Sequence, residues 1–97
     1  MKNQNDIFLN NLPSIDLHGF DRESATLAVK DFIHENNIMG NKKIIVIHGK
    51  GQGILRESIL SYLKNNKLVL SYKLDNFNDG MTIVKIKEEL WKRKVLL

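Results

Sequence analysis

The sequence predicts an α/β fold with the element order β-α-β-α-β-β. Two short apolar segments are each followed by apolar residues at the three- and four-residue spacing of an amphipathic helix. Two further strand-like segments near the end are joined by a loop that contains Asp-Gly, which is typical of a hairpin. A β-α-β connection makes its strands parallel and a hairpin makes them antiparallel, so we expect a mixed four-stranded sheet.

The first unit starts with "IDLH" (15–18), whose alternation places Asp16 and His18 on one face of a short strand. Asp21 is positioned to cap the following helix, and Gly40 is positioned to end it. The apolar stripe of that helix consists of Ala25, Ala28, Val29, Phe32 and Ile33. This spacing predicts an amphipathic helix packed on the sheet.

The second unit starts with "KIIVIH" (43–48), which is apolar on both faces and therefore predicts a central strand covered on both sides. The next helix should end near Asn65–Asn66. Its apolar stripe consists of Ile54, Leu55, Ile59, Leu60 and Leu63. "LVLSYKL" (68–74) and "MTIVKI" (81–86) then predict the two strands of the hairpin.

Composition limits the class of protein. A chain of 97 residues holds one domain, which we expect at 15–86, after a lead-in at 1–14 and before a tail at 87–97. No apolar run is long enough for a signal peptide or membrane span, and there is no cysteine, so we expect a cytoplasmic protein with no membrane partner. The net charge of +4, mostly from lysine, favours polyanions such as nucleic acid.

A histidine-glycine pair follows both predicted parallel strands. "IDLHGFDRES" and "IVIHGKGQGILRES" share a plan of strand, His-Gly, loop and Arg-Glu-Ser at the start of a helix. The carboxyl ends of parallel strands meet at one edge of a sheet, so we expect His18 and His48 to face the same cleft. Taken alone, either pair is explained by turn chemistry, because glycine adopts a positive φ without strain.

Two histidines at one cleft suit general acid-base chemistry, because imidazole changes charge near neutral pH. In RNA cleavage, one group takes the proton from the 2′-hydroxyl or from water and the other protonates the departing 5′-oxygen. We therefore predict His18 and His48 as catalytic residues, with Asp16 orienting the His18 imidazole. This chemistry requires no cofactor. The alternative, in which Asp16 and His18 hold Mg²⁺ or Mn²⁺, stays open.

The loop "GKGQG" (49–53) has neither the P-loop spacing nor the dinucleotide-binding pattern. It leads into a helix amino terminus, where free backbone N–H groups and the helix dipole favour an anion. We predict that it holds a phosphodiester through Gly49, Lys50, Gly51, Gly53 and Arg56. In the hairpin loop we expect Phe77 to pack into the core, with stacking on an unpaired base as the alternative.

The motifs "IDLHG" and "IIVIHGKGQGILR", in this order, resemble the small MutS-related (Smr) domain, here of a stand-alone bacterial type. The resemblance covers roughly residues 15–86. It implies a two-layer α/β sandwich similar to the carboxyl-terminal domain of bacterial translation initiation factor three. Family members are described as endonucleases that either nick DNA in connection with recombination control or cleave messenger RNA on stalled and collided ribosomes.

The resemblance also implies roles for residues. Cleavage is tied to Asp16, Leu17 and His18, and substrate or ribosome contact to His48, Gly49, Lys50 and Gly51. A third family signature, Gly-Gly-x-Gly-x-Thr, is partly present in "FNDGMT" (77–82), which keeps Gly80 and Thr82 but has Phe77 and Asn78 at the two leading glycines. We include Gly80 among the predicted nucleic-acid contacts.

The resulting hypothesis is an endonuclease that acts on RNA at the ribosome rather than on free DNA. A non-catalytic nucleic-acid or ribosome-binding module is the alternative. The sequence does not determine the oligomeric state.

Overall fold

A computed structural model of the chain describes residues 11–51 and 53–88. The strands are β1 (Ser14–Asp16), β2 (Lys43–Ile47), β3 (Val69–Leu74) and β4 (Met81–Ile86). The helices are α1 (Arg22–Ile38) and α2 (Ile54–Lys64). The predicted order β-α-β-α-β-β is confirmed, and the observed bounds lie close to the predicted ones.

The strands form one four-stranded sheet in the order β1-β2-β4-β3. β1 runs parallel to β2, and β4 is antiparallel to both β2 and β3. The mixed sheet is therefore confirmed. β2 and β4 are central, whereas β1 and β3 are edge strands, and this difference decides the surroundings of the two His-Gly pairs.

The two helices begin differently, the first with a side-chain cap and the second without one. The Asp21 carboxylate accepts a hydrogen bond of 2.7 Å from the backbone N–H of Ser24, as expected for an N-cap. This bond also lowers the pKa of Asp21 below its ordinary value. Helix α2 follows Gly53, which has a φ of 80° and offers no side chain to cap the first N–H groups.

Both helices pack on the same face of the sheet, which makes a two-layer sandwich. The core between the layers consists of Leu17, Ala25, Val29, Ile33, Ile44, Val46, Ile59, Leu63, Val84 and Ile86. Side chains alternate along a strand, so Ile45 lies on the opposite, outer face of β2, where it is buried outside this core. β2 is central as predicted, and its residues Ile44, Ile45 and Val46 are buried although both helices lie on one side of the sheet.

Two apolar side chains lie outside the core that was expected to hold them. Phe77 is 85% exposed and Ile54 is 53% exposed. Phe77 stands in the loop between β3 and β4, where the Asp75 carboxylate accepts a hydrogen bond from its backbone N–H at 3.1 Å and fixes the turn without burying the ring. Ile54 is the first residue of α2.

Much of the predicted lead-in and tail, residues 1–10 and 89–97, lies outside the described residues. The domain boundaries stay a prediction. Neither described helix has the length and apolar character needed to cross a bilayer.

Candidate functional site

His18 lies in a turn directly after the edge strand β1. The Leu17 N–H extends the ladder by donating to the Ile47 carbonyl at 2.8 Å, and the Phe20 N–H closes the turn by donating to the Leu17 carbonyl at 3.0 Å. Gly19 occupies the third position of this turn with a φ of 83°, as a type II turn requires. The His18 side chain is exposed to solvent.

Asp16 stabilises the same turn through the backbone. Its Oδ1 accepts a hydrogen bond of 2.9 Å from the backbone N–H of His18, and its side chain is exposed. Asp16 pairs with Ile47 in the sheet, so both lie on the outer face. The carboxylate thus fixes the peptide that carries His18. Its predicted role as orienter of the imidazole stays a prediction.

His48, at the end of the central strand β2, has very different surroundings. It is 6% exposed, and both ring nitrogens have partners. Nδ1 lies 3.0 Å from the Gly49 carbonyl oxygen, and Nε2 lies 2.8 Å from Oγ1 of Thr82, which is fully buried. A carbonyl only accepts, so the proton of the neutral ring is on Nδ1, and Nε2 accepts from the Thr82 hydroxyl.

Burial lowers the pKa of His48 below its ordinary value, because the charged imidazolium would lose hydration. The hydrogen bond to the Gly49 carbonyl raises the pKa, the nearby Arg56 guanidinium lowers it, and the Asp79 carboxylate raises it. The net effect is a ring held neutral at physiological pH.

The third loop packs directly against this second His-Gly pair. The Gly80 carbonyl accepts hydrogen bonds of 2.9 Å from the backbone N–H groups of both His48 and Gly49. A Cβ at Gly80 would lie 3.2 Å from the Gly49 carbonyl carbon and 3.3 Å from its Cα. Gly80 is needed for this close approach of two backbones. Its predicted nucleic-acid contact stays a prediction.

The two predicted cations of the loop share one carboxylate. Lys50 Nζ lies 3.7 Å from Oδ1 of Asp79, and Arg56 Nη1 lies 4.0 Å from Oδ2. Lys50 and Asp79 are well exposed, so these pairs are weak in water and leave both cations available to another anion. The sequence predicted Lys50 and Arg56 as neighbours of a phosphate but not Asp79 between them.

A cavity of about 240 Å³ opens beside this cluster. It is lined by His48, Gly49, Lys50, Gly51, Gly53, Ile54, Leu55 and Arg56. The first backbone bond of α2 runs from the Glu57 N–H to the Gly53 carbonyl, so the earlier N–H groups of the first turn have no helical acceptor. Free N–H groups, the positive end of a helix and two cations suit a phosphate group.

The two His-Gly pairs lie at the same end of the sheet, as predicted, because both follow the carboxyl ends of parallel strands. Asp16 lies on the outer face with Ile47, whereas the His48 ring meets Thr82 on the helix-covered face. The pairing of His18 and His48 as acid and base stays a prediction.

Sequence reasoning did not include Thr82 among the site residues, although it is the threonine of the partly matching third signature. Its partner His48 is 34 residues away in the chain, so no local pattern joins them. Within the described ranges, no three histidine, cysteine, aspartate or glutamate side chains come together as a metal site would require. The metal requirement stays a prediction.

The comparison with known families agrees with these motifs. The family model described as "Smr domain" matches residues 15–87. The chain belongs to the Smr domain family.

Relatives carry this domain within much longer proteins. Endonuclease MutS2 of Clostridium acetobutylicum is 44% identical over 75 residues, which cover 77% of this chain and 10% of that protein. Endonuclease MutS2 of Caldanaerobacter subterraneus subsp. tengcongensis is 36% identical over 77 residues, with a coverage of 76% and 10%. The chain thus spans about a tenth of the length of the curated relatives it matches.

Solved structures share the fold. The crystal structure of the Smr domain of Thermus thermophilus MutS2 superposes with a TM-score of 0.76 at 29% identity, covering 78% of this chain and 99% of that one. YdaL, a stand-alone small MutS-related protein from Escherichia coli, superposes with a TM-score of 0.73 at 23% identity, covering 77% of this chain and 64% of that one. The sandwich implied by the sequence resemblance is therefore confirmed.

Proposed function

We propose that this chain is a nucleic-acid endonuclease that acts on RNA, with His18 as the group that transfers a proton. The observation that supports it is the contrast between the two His-Gly pairs. His18 is exposed on a turn fixed by Asp16 and Gly19, whereas His48 is buried with both ring nitrogens hydrogen-bonded. A proton-transfer group must reach its substrate, and His18 has the access that this requires.

The phosphate is bound by the loop after β2 in this proposal. The N–H groups at the start of α2, with Lys50 and Arg56, balance the charge of the phosphodiester and of the transition state. Either His18 takes the proton from the attacking 2′-hydroxyl and water protonates the departing 5′-oxygen, or water takes the first proton and His18 supplies the second. The new bond joins the 2′-oxygen to phosphorus as the bond to the 5′-oxygen breaks, which leaves a 5′-hydroxyl on one product.

His48 is a positioning residue in this account. Its bonds to Thr82 and to the Gly49 carbonyl hold the start of the phosphate loop against β4. For His48 to act instead as the second acid-base group, its Nε2 would first have to leave the Thr82 hydroxyl. Its lowered pKa also keeps it neutral, which suits a structural role better than a proton donor.

The substrate and the setting complete the proposal. We favour RNA over DNA, and messenger RNA on a stalled or collided ribosome over free RNA, with a cytoplasmic location. The family membership and the name "Endonuclease" borne by the relatives support nuclease activity in general. The net charge of +4 fits a polyanionic partner.

The test is cleavage of end-labelled single-stranded RNA and of ribosome-bound messenger in EDTA. Wild-type protein should release a product with a 5′-hydroxyl, and His18→Ala should slow this release by about 100-fold or more. His34→Ala is the matched control, because His34 is an exposed histidine of α1 away from the site. A rate that His18→Ala leaves unchanged contradicts the assignment.

Metal dependence is tested in the same assay. If EDTA abolishes cleavage and Mg²⁺ or Mn²⁺ restores it, the metal-free mechanism is contradicted. The alternative would then hold, in which Asp16 and His18 bind the metal ion.

A non-catalytic nucleic-acid or ribosome-binding module is the second candidate function. The burial of His48 favours this candidate. Acid-base cleavage uses two groups, and the buried ring of the second His-Gly pair is not exposed to act as the partner of His18. RNA binding that falls with salt and is unchanged in His18→Ala, without cleavage in EDTA, Mg²⁺ or Mn²⁺, would select this candidate.

A further inference from the structure

Three lysines cluster on the outer face of the sheet, away from the helices. Lys43 of β2 pairs directly with Lys85 of β4. Lys73 of β3 pairs with Ile83, two residues from Lys85 along β4, so it is the diagonal neighbour of Lys85. All three are exposed, and they line an open depression of about 390 Å³. We call Lys43, Lys73 and Lys85 the sheet lysines.

A β-bulge places Lys73 in this cluster. The pairing of β3 with β4 shifts by one residue between Val69 and Ser71. Without the shift, Lys73 would share the helix-covered face with Val69, which packs against the core. The bulge moves Ser71 and Lys73 to the outer face and leaves Leu70 64% exposed.

The cluster costs stability as it stands. Directly opposite residues of neighbouring strands have Cβ atoms about 5 Å apart, and diagonal neighbours about 7–8 Å, so like charges there repel. Among residues 11–51 and 53–88, the sheet lysines form no ion pair with an acidic side chain. A lysine on the edge strand β3 also guards against edge pairing, but that role does not account for Lys43 and Lys85 on the two central strands.

The outer face connects this cluster to the proposed reaction site. Along β2, Lys43 is four residues from Ile47, about 13 Å, and Ile47 is the partner of Asp16. Between Lys43 and Ile47 the outer face of β2 carries Ile45, which is 4% exposed, and the neighbouring strand β4 adds the partly exposed side chains of Ile83 and Met81, on which unpaired bases can pack. The outer face thus has lysines at one end, apolar side chains in the middle and Asp16 at the other end.

We propose that the outer face of the sheet is a binding track for single-stranded RNA, with its phosphates on the sheet lysines and its chain leading to the Asp16–His18 turn. The proposal rests on the proposed function, to which it adds the route of the substrate. Charge complementarity selects a polyanion, and the distance between the lysines and the turn suits a few nucleotides of extended strand.

The test compares two triple variants in a His18→Ala background, so that bound RNA stays intact. One carries Lys43→Gln, Lys73→Gln and Lys85→Gln. The control, which we call the helix-layer triple, carries Lys30→Gln and Lys64→Gln in the helices and Lys67→Gln in the turn after α2, three exposed lysines, and so has the same net charge. Binding of a labelled single-stranded RNA is measured by fluorescence anisotropy between 0.05 and about 0.3 M salt.

If the track exists, removal of the sheet lysines should make the negative slope of log affinity against log salt shallower by about 2. Binding should weaken about 100-fold at 0.1 M salt. The helix-layer triple should leave the slope nearly unchanged. Thermal unfolding shows that both triples fold, and the sheet triple should be as stable as its parent or more so. An equal loss in both triples, or none in the sheet triple, overturns the track.

Two further outcomes distinguish failure of this proposal from failure of the function on which it rests. If wild-type protein cleaves RNA and the sheet triple with His18 restored cleaves it equally well, the track fails and the endonuclease stands. If no variant cleaves but the sheet triple alone loses RNA binding, the endonuclease fails and the track stands. Lysine-dependent binding to phosphatidylserine vesicles without RNA binding would make the face a membrane contact and overturn the track.

Discussion

The two His-Gly pairs are nearly identical in sequence and opposite in structure. His18 follows an edge strand, and within residues 11–51 and 53–88 no further strand lies beside it. His48 follows a central strand, next to β4, whose Thr82 receives its Nε2. The difference teaches that the position of a strand in the sheet, rather than the local motif, decides whether its terminal histidine meets solvent or the core.

Removal of the buried histidine should have the largest effect on stability. His48→Ala deletes two hydrogen bonds, opens a void and leaves the Thr82 hydroxyl without its partner. We expect the free energy of unfolding in urea to fall by about 2–4 kcal/mol. His18→Ala, at an exposed turn, should change it by less than about 0.5 kcal/mol. Equal losses in the two variants would remove the contrast between the pairs.

The close packing of Gly80 on Gly49 predicts a smaller loss. Gly80→Ala forces two backbones apart and strains the hydrogen bonds that the Gly80 carbonyl accepts, which should cost about 1–3 kcal/mol. A double-mutant cycle tests whether this contact and the Thr82 hydrogen bond act together. Gly80→Ala and Thr82→Val should be non-additive, because both act on the contact with His48.

Gly19→Ala is the control for that cycle. It strains a positive φ in the first turn and should add independently to Thr82→Val. Coupling between Gly19 and Thr82 as strong as that between Gly80 and Thr82 would contradict the separation of the two regions.

The lowered pKa of His48 predicts a pH dependence of stability. An unfolded histidine titrates near pH 6.5, so below that pH the unfolded chain binds a proton that the folded chain does not. The contribution of His48 to the free energy of unfolding is complete above about pH 6.5 and is lost as the pH falls toward the lowered pKa of the folded state. His48→Gln should flatten the curve of unfolding free energy against pH below about pH 6.5. A slope that His48→Gln leaves unchanged would be against the burial argument.

The smallest effect is expected at Asp79. Asp79→Asn frees Lys50 and Arg56 from a competing carboxylate, and exposed pairs of this kind are worth about 0.2–1 kcal/mol. We therefore expect single-stranded RNA to bind about two- to fivefold more tightly in an anisotropy titration. Weaker binding would indicate that Asp79 itself contacts the substrate.

The sequence predicted the order of the elements because periodic apolar residues and Gly or Asp at the ends are local signals. Asp21 as cap and the hairpin of β3 and β4 are confirmed on that basis. The site was harder to predict because its decisive contacts are long-range. The bond of His48 to Thr82 depends on β4 lying next to β2, and the outer position of Lys73 depends on a one-residue bulge. Phe77 was misplaced because its turn is fixed by the Asp75 carboxylate and leaves the ring in solvent.

The most direct test of the division of roles is the rate of RNA cleavage by His18→Gln and His48→Gln, measured side by side at a temperature where circular dichroism shows both variants folded. We predict a loss of about 100-fold or more for His18→Gln and a rate within about tenfold of wild type for His48→Gln. A folded His48→Gln protein that is as inactive as His18→Gln would show that the buried histidine takes part in the chemistry, and would contradict the account.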